Sequence, residues 1–442
     1  MKELIKRRSF IKSATTAGIG LGLVPHTFPV FGKNAPNEKL VVAIMGLNGR
    51  GSALASEYAQ QDGYEIAYIC DVDDSAIAKG IEIVMQHQKK KPKAIKDFRK
   101  ALEDKALDTL VIAAPDHWHA PATIIALQAD KHVYVEKPCG HNPKEGEMLI
   151  EAQKRYGKVV QMGNQQRSAP ESIQAIREIR EGIIGTPYFA KAWYANARGP
   201  IGTGKKAPVP AGLDYELWQG PAPRIPYQDN LIHYNWHWFW NWGTGEICNN
   251  GTHEIDVCRW ALDTNYPIRV SSQGGRYHYD DDWEFYDTQI TSFDFEGEKT
   301  IIWEGRSCNG HPIEGRGRGS AIYGTEGTII LDRNGYVLYD KDNKVVKEVK
   351  PEVANATMDT VGGDSMTGEH IRNFGEVIRN GAEQNSPILE GHKSVLLCHL
   401  GNIAQEKGRT LEINPENGHI KNDAEAMQMW SREYEEGWTP SV

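Results

Sequence analysis

Three stretches of this chain gather side chains of the kinds that do chemistry. The first is Gly46-Leu47-Asn48-Gly49-Arg50-Gly51, with Asp71 twenty residues after Gly51. Glycines at such a turn let the backbone approach a pyrophosphate, and a helix that starts there turns its amides and dipole toward the negative charge. An acid about twenty residues on accepts hydrogen bonds from ribose hydroxyls. The Asp71 carboxylate would also repel a 2′-phosphate, so the pattern points to NAD over NADP. Asn48 stands where the G-x-G-x-x-G spacing has its second glycine; asparagine tolerates left-handed dihedrals and Gly49 lies beside it, so the turn stays feasible. The second stretch comprises two polar segments, Pro115 to His119 and Glu136-Lys137-Pro138. The third runs from Tyr234 to Trp242 and holds six aromatics in nine residues. Aromatic faces stack on the C–H faces of sugars, and the interspersed His and Asn can bond hydroxyls. Alternation on a strand would equally set Trp236, Trp238, Trp240 and Trp242 on one core face. Both readings stand, with His237 or Trp238 expected at a cleft and Trp118, Trp193 and Tyr194 as further candidates. Gly315 to Gly319, with Arg316 and Arg318, reads as a mobile, solvated loop.

The elements that must position these residues alternate regularly. Lys39 to Gly46 is a short apolar run ending in glycine, as a buried parallel strand would be. A helical stretch (52–60) follows the turn, then a second strand (64–70) ending at Asp71. Apolar strands recur at 108–115, 132–138 and 158–162, with helical segments between them. Repeated βα units form a doubly wound parallel sheet, and ligands on such sheets sit at the carboxyl ends of the strands. Asp71, Pro115 to His119 and Glu136 to Pro138 all fall there and should converge on one crevice.

Composition bounds the remaining choices. The 442 residues suffice for two or three domains, and 40% hydrophobic with 25% charged residues describes a folded, soluble chain. The net charge of −9 hides an asymmetry. Residues 1–35 carry six basic side chains and one acidic, leaving 44 basic against 58 acidic, or −14, for the rest. Such a body repels phosphate backbones, so nucleic acid is excluded as a partner. Six scattered cysteines without C-x-x-C spacing suggest isolated thiols and no metal site. Lys6-Arg7-Arg8-Ser9-Phe10-Ile11-Lys12 precedes an uncharged Ala/Gly/Leu-rich run and resembles a twin-arginine export signal. The export machinery is then a partner and the compartment beyond the inner membrane the expected location.

Taken in order, the glycine turn, Ala114-Pro115-Asp116-His117-Trp118-His119, Glu136-Lys137-Pro138 and Met162-Gly163-Asn164-Gln165-Gln166-Arg167 resemble the glucose-fructose oxidoreductase and inositol dehydrogenase (Gfo/Idh/MocA) family. So do Asp214 to Pro221, Gly251-Thr252-His253-Glu254-Ile255-Asp256, Tyr323 to Gly327 and His399 to Ala404. The resemblance implies an α/β protein: a signal at 1–35, an NAD-binding Rossmann domain at 36–165, and a C-terminal α/β domain at 166–442 with an open, mostly antiparallel sheet. It also implies a homo-oligomer and NAD(P)-linked chemistry on sugars or polyols, with Lys137 in the active site and its peptide to Pro138 often cis. Gly46, Asn48, Gly49, Arg50, Gly51, Asp71, Pro115, His119, Glu136, Lys137, Asn164 and Arg167 are the expected cofactor residues. Trp236, His237, Trp238, Asn249 and His253 are the expected substrate residues. The family places an Asp four residues before its catalytic His; here His253 is retained and Asn249 holds the Asp position. Proton transfer is therefore assigned to His253, orientation of the oxygen to Lys137, and positioning to Asn249. The alternative for His253 is a structural histidine at a helix start.

An exported dehydrogenase has no cytoplasmic pool with which to exchange reduced cofactor, so NAD should stay bound and a closed redox cycle should turn it over. One reading is hydride transfer at a secondary alcohol of a sugar, polyol or glycoside. A second is NAD-dependent glycosidase chemistry, in which transient oxidation at C3 acidifies the C2 proton and permits elimination. A third, of a different class, is a non-catalytic carbohydrate-binding protein on the same fold, supported by the Asn at 249.

Overall fold

The computed structural model describes residues 39–352, 354–355 and 364–442. The expected signal segment lies outside them. Among the described residues, the strands form two sheets, one of six strands and one of nine. The first comprises β1 (Leu40–Met45), β2 (Tyr64–Cys70), β3 (Lys93–Ile95), β4 (Thr109–Ile112), β5 (His132–Val135) and β6 (Val160–Met162), in the order β3-β2-β1-β4-β5-β6. Every pairing is parallel. β1 and β4 are apolar runs buried nearly throughout, as central strands covered on both faces require. Helices α1 (Arg50–Gln60), α2 (Asp74–Met85), α3 (Arg99–Leu102), α4 (Asp116–Gln128) and α5 (Pro143–Tyr156) form the crossovers. The strand order reverses between β1 and β4, and the crevice outside that switch point is where such sheets bind ligands.

The glycine turn owes its shape to contacts no side chain could share. Gly46 has φ +86, and a Cβ on Gly51 would lie 1.6 Å from the Gly46 carbonyl oxygen. Glycine at 51 thus lets the start of α1 press against the end of β1.

The second sheet comprises β7 (Pro187–Ala195), β8 (Arg269–Gly275), β9 (Thr288–Phe295), β10 (Lys299–Arg306), β11 (Arg318–Gly324), β12 (Gly327–Asp332), β13 (Gly335–Asp340), β14 (Val345–Val349) and β15 (Leu411–Glu412). Its order is β14-β13-β12-β11-β7-β10-β9-β8-β15, antiparallel except where β7 meets β10. Helices α6 (Pro170–Arg180), α8 (Thr252–Leu262) and α10 (Ile388–Lys407) cover one face and share a core with it. Between β7 and α8 the chain makes a long excursion, 196–246, that holds α7 (Tyr215–Gln219).

Two late segments return to the first sheet. Helix α9 (Ser365–Asn380) sets Ile371 and Phe374 into the Rossmann core, and the Tyr64 hydroxyl donates to the Ile371 carbonyl at 2.7 Å. Near the C-terminus, Trp438 meets the Trp118 ring edge-on, with centroids 5.1 Å apart.

Two sequence expectations are corrected by the fold. The aromatic run is not a strand: Asn235–Trp238 is a 3₁₀ turn, closed by Phe239 N–H donating to the Trp236 carbonyl at 3.2 Å. Without a partner strand the side chains leave in several directions, and strand alternation does not apply. Nor is the 315–319 stretch a solvated loop throughout. Arg318 opens β11 fully buried, bonded through Nε and Nη2 to the Glu254 carboxylate at 2.7 and 3.0 Å, and Arg316 pairs with Asp332 at 2.9 Å.

Candidate active site

A cavity of about 320 Å³ opens at the carboxyl ends of β1, β2, β4 and β5 and is walled on its far side by the 196–246 excursion and the turn before α8. At one end lie Gly46, Asn48, Gly49, Arg50 and Asp71. Gly49 is the N-cap of α1 and has no side chain with which to cap the helix. The positive end of α1 therefore faces the cavity, as a bound pyrophosphate requires. Asp71 braces the turn, accepting from Leu47 N–H at 2.6 Å and Asp73 N–H at 3.0 Å. Burial raises its pKa, against the pull of those two bonds. Nearby Lys96 is committed to Asp74 at 3.0 Å and to the Gly212 carbonyl at 2.9 Å. The glycine N-cap of α1, the bare glycine turn and the carboxylate at the end of β2 together fit NAD.

Lys137 stands near the middle of the cavity, and its peptide to Pro138 is cis. Its ammonium donates to the Asn249 backbone carbonyl at 2.7 Å and to Asn249 Oδ1 at 3.1 Å. Burial lowers the Lys137 pKa, Arg318 and Arg50 add to the effect, and Glu136 and Asp116 oppose it. Asn249 lies in a wide π-helical turn, Ile247–Gly251, that leads into α8. That turn brings both Asn249 and Asn250 to the cavity wall, in keeping with the frequency of π turns at functional sites.

The opposite wall is polar and aromatic. Arg198 donates from Nε to Glu246 at 2.8 Å and from Nη1 to the Tyr234 hydroxyl at 2.8 Å. His237 lies face to face with Trp236, centroids 3.6 Å apart, and its Nδ1 meets the Tyr234 carbonyl at 2.6 Å. That contact assigns the proton to Nδ1 and leaves Nε2 as an acceptor. Burial pushes the His237 pKa down to about 3, which favours the neutral ring.

The remaining expected residues divide by geometry. Pro115, His119 and Glu136 line the cavity. The His119 ring, however, is held between the Pro138 and Ala114 carbonyls at 2.5 and 2.7 Å, so it ties the ends of β4 and β5 together. Arg50 donates to Glu136 at 2.9 Å and to Thr367 Oγ1 at 3.1 Å. Gly51 lies behind the turn.

Four further residues lie off the cavity. Arg167 has its guanidinium bonded through Nε and Nη2 to Asp256 at 2.7 and 2.8 Å, so it joins the 3₁₀ turn after β6 to α8. Asn164 is buried off the cavity too. Trp238, 1% exposed, stacks on Trp283 at 3.9 Å and belongs to a core. His253 is 3% exposed and does not line the cavity, and among the described residues its Nε2 has no hydrogen-bond partner. Burial holds its pKa well below the usual imidazole value, and Lys137, Arg318, Arg333 and Arg50 press in the same direction. Asn249, expected to position, stays in the cavity wall and does so through Lys137, since the π turn breaks the i,i+4 alignment that would have set it over His253.

Sequence reasoning missed Arg198, Asn196 and His233, which all line the cavity. A period-two reading past Tyr194 at the end of β7 would have aligned Tyr194, Asn196 and Arg198. No local signal marks His233. Among the described residues, no group of three or more His, Cys, Asp or Glu side chains is arranged to hold a metal ion.

Strand order, crevice and turn define a two-domain dinucleotide-binding oxidoreductase fold. The chain belongs to the Gfo/Idh/MocA family: residues 40–164 match the model described as "Oxidoreductase family, NAD-binding Rossmann fold", and residues 191–440 the "Oxidoreductase family, C-terminal alpha/beta domain". Its cofactor is NAD. A "Glycosyl hydrolase family 109 protein 1" from Shewanella sp. (strain ANA-3) is 27% identical over 210 residues, covering 43% of this chain and 46% of that protein. An "Alpha-N-acetylgalactosaminidase" from Shewanella oneidensis is 26% identical with the same coverage. The chain thus matches about half the length of these relatives. Among solved structures, a levoglucosan dehydrogenase in complex with NADH and levoglucosan shares the fold at TM-score 0.65 and 17% identity, covering 85% of this chain and 99% of that one. An aldose-aldose oxidoreductase from Caulobacter crescentus complexed with glycerol does so at TM-score 0.64 and 17% identity, covering 85% and 100%.

Proposed function

We propose that this protein is an exported oxidoreductase that acts at a secondary alcohol of a sugar, polyol or glycoside, with NAD held as a resident group. The observation that carries the reading is the continuity of one cavity from the glycine turn and Asp71 to Lys137, Asn249 and the Tyr234, His237 and Arg198 wall. Bound NAD would supply the two-electron acceptor and donor. The chain supplies the rest. Asn249 aims Lys137 Nζ, and His237 Nε2 accepts a hydrogen bond from a substrate hydroxyl. Lys137 Nζ, its pKa lowered by burial, takes the hydroxyl proton when neutral and returns it in the reverse direction. His237 is the poorer base, because an imidazole with pKa about 3 gains a proton too reluctantly. The Trp236 and His237 pair stiffens the wall against which a sugar ring would lie. His253, buried off the cavity, takes no part in the proton transfer.

A redox-neutral variant is favoured by the resemblance to the glycosyl hydrolase family 109 proteins. Transient oxidation at C3 of a glycoside acidifies C2–H; a side chain of the cavity removes that proton as the C1–O bond breaks, and water adds before C3 is reduced again. Release of the aglycone without net change in nicotinamide absorbance would identify it. Self-association through the open face of the second sheet, where Ile290 is half exposed, belongs to the same proposal.

The deciding experiment is denaturation of purified protein with identification of the released nucleotide by mass. Stoichiometric NAD, and an absorbance change when glycosides are added to loaded protein, is the expected outcome. Sugar affinity with no nucleotide would instead make it a binding protein. Export rests on Arg7 and Arg8: replacing both with Lys should retain the precursor in the cytoplasm, and unchanged export would require another route.

A further inference from the structure

We infer that the second domain helps to hold the nucleotide: the 212–214 segment and His233 clasp the turn between β2 and α2, beside Asp71, and retain the adenosine half of bound NAD. The inference rests on the reading of the cavity as an NAD site and concerns a contact that the glycine turn and its acid do not include.

The clasp is built from backbone and side chain together. Asp214 N–H donates to the Val72 carbonyl at 2.9 Å, and Asp74 N–H donates to the Gly212 carbonyl at 3.3 Å. Asp73 and Leu213 thereby face one another as an antiparallel bridge. Lys96 Nζ, from the loop after β3, donates to the same Gly212 carbonyl at 2.9 Å. Twenty residues beyond Leu213, His233 Nε2 meets Asp73 Oδ2 at 2.8 Å. The other Asp73 oxygen caps α2, accepting from Ser75 N–H at 2.8 Å. One carboxylate thus starts a Rossmann helix and anchors the excursion.

The excursion at this point is no loose flap. Tyr215, Trp218, Leu231 and Trp236 form a small apolar core of their own, against which Val72 packs from the Rossmann side. Moving the clasp would part these surfaces as well as the hydrogen bonds.

Its position gives the clasp its consequence. Val72, Lys96, Leu217, Trp218 and His233 line the same cavity as the glycine turn. β2 lies three strands from β5, which at ~4.8 Å per strand is roughly 14 Å from the Lys137 end. A dinucleotide whose pyrophosphate lies over the start of α1, with its reactive ring toward Lys137, must put its adenosine on the β2 side. The clasp closes that side, so release of the nucleotide requires the 212–214 and His233 contacts to open. For a protein expected to work where no free cofactor pool exists, slow release keeps the redox cycle closed.

The test measures nucleotide release and not turnover. Protein loaded with NADH is mixed with excess NAD, and the loss of bound-NADH fluorescence is followed for wild type, His233→Ala, Asp73→Asn, the double variant and His233→Gln. Asp73→Asn preserves the α2 cap, since Asn caps as well as Asp. His233→Ala and Asp73→Asn should each speed release by roughly tenfold or more, the scale of one lost hydrogen bond to a charged group. The double variant should release little faster than the faster single variant, because both remove one interaction. His233→Gln, which can still donate to Asp73, should recover most of the slow release. Wild-type release rates in His233→Ala and in the double variant would overturn the clasp while leaving the NAD site intact. The clasp is equally overturned if His233→Ala lowers the melting temperature of the nucleotide-free protein as much as that of the loaded one, since the contact would then serve the fold alone. A wild-type protein that binds no NAD would overturn the site reading and the clasp with it, before any variant is compared.

Discussion

The phosphate-facing part of the cavity's nucleotide end comes from one continuous stretch, 46–74, and acts through backbone, a bare turn, the first amides of α1 and one carboxylate, while Lys96 and His233 close its β2 side from elsewhere in the chain. The reaction end is assembled from Lys137 at a strand end, Tyr194 to Arg198 at the end of β7, Tyr234 and His237 in a 3₁₀ turn, and Asn249 in a π turn. It acts through side chains. A backbone site tolerates sequence change wherever the turn survives, as Asn48 illustrates. A side-chain site depends on the register of every segment that contributes to it, as the π turn before α8, which presents Asn249 to Lys137, illustrates.

This difference predicts a ranking of effects. Lys137→Ala should cost the most, ~10² to 10⁴ in turnover, with NAD still bound when the nucleotide content is assayed. Turnover near wild type would remove the proton-transfer role. Asp71→Ala should leave the chemical step intact but weaken NAD roughly 10- to 100-fold and narrow its preference over NADP, as read by titration with both nucleotides. Equal affinity of the unmodified protein for the two would refute the discrimination assigned to this carboxylate. His253→Ala should act chiefly on packing, destabilising the fold by about 1 to 3 kcal/mol in denaturant titration, with a smaller loss of turnover than Lys137→Ala. A loss as large as that of Lys137→Ala would return His253 to the chemistry. The smallest effect is a displacement of the pH profile. Turnover that needs neutral Lys137 rises with pH through a pKa already lowered by burial. Asn249→Asp would set a carboxylate against the ammonium, favour the charged form and move that rising limb to higher pH. An unmoved limb would mean that Lys137 does not carry it.

Most of the first sheet could be read from the chain, because each buried strand is a short apolar run and each turn carries its own glycine or acid. The reaction end was legible only in part. Lys137 and Asn249 are marked by motifs, and the structure brings them within hydrogen-bond distance. Arg167 resembled a cofactor residue because it follows a recognisable Gly-Asn-Gln-Gln, yet its guanidinium is bonded to Asp256, 89 residues away. The aromatic run gave the right composition and the wrong geometry: Trp236 and His237 reach the cavity while Trp238 does not, and alternation has no meaning in a 3₁₀ turn.

By itself the sequence determined whatever local rules control. These include the βα alternation, the bare turn at 46–51, the acid that follows β2, and the net negative charge of the body. Tertiary structure alone decided which polar side chains face the cavity and which of them, there or elsewhere, are already committed to a protein partner. Arg318 is consumed by Glu254, His119 by two carbonyls, and His233 by Asp73, 160 residues away. The physical reason is that a buried charged or polar group must find a partner wherever the fold supplies one. That partner is set by the packing of distant segments, and nothing in the neighbouring sequence encodes it.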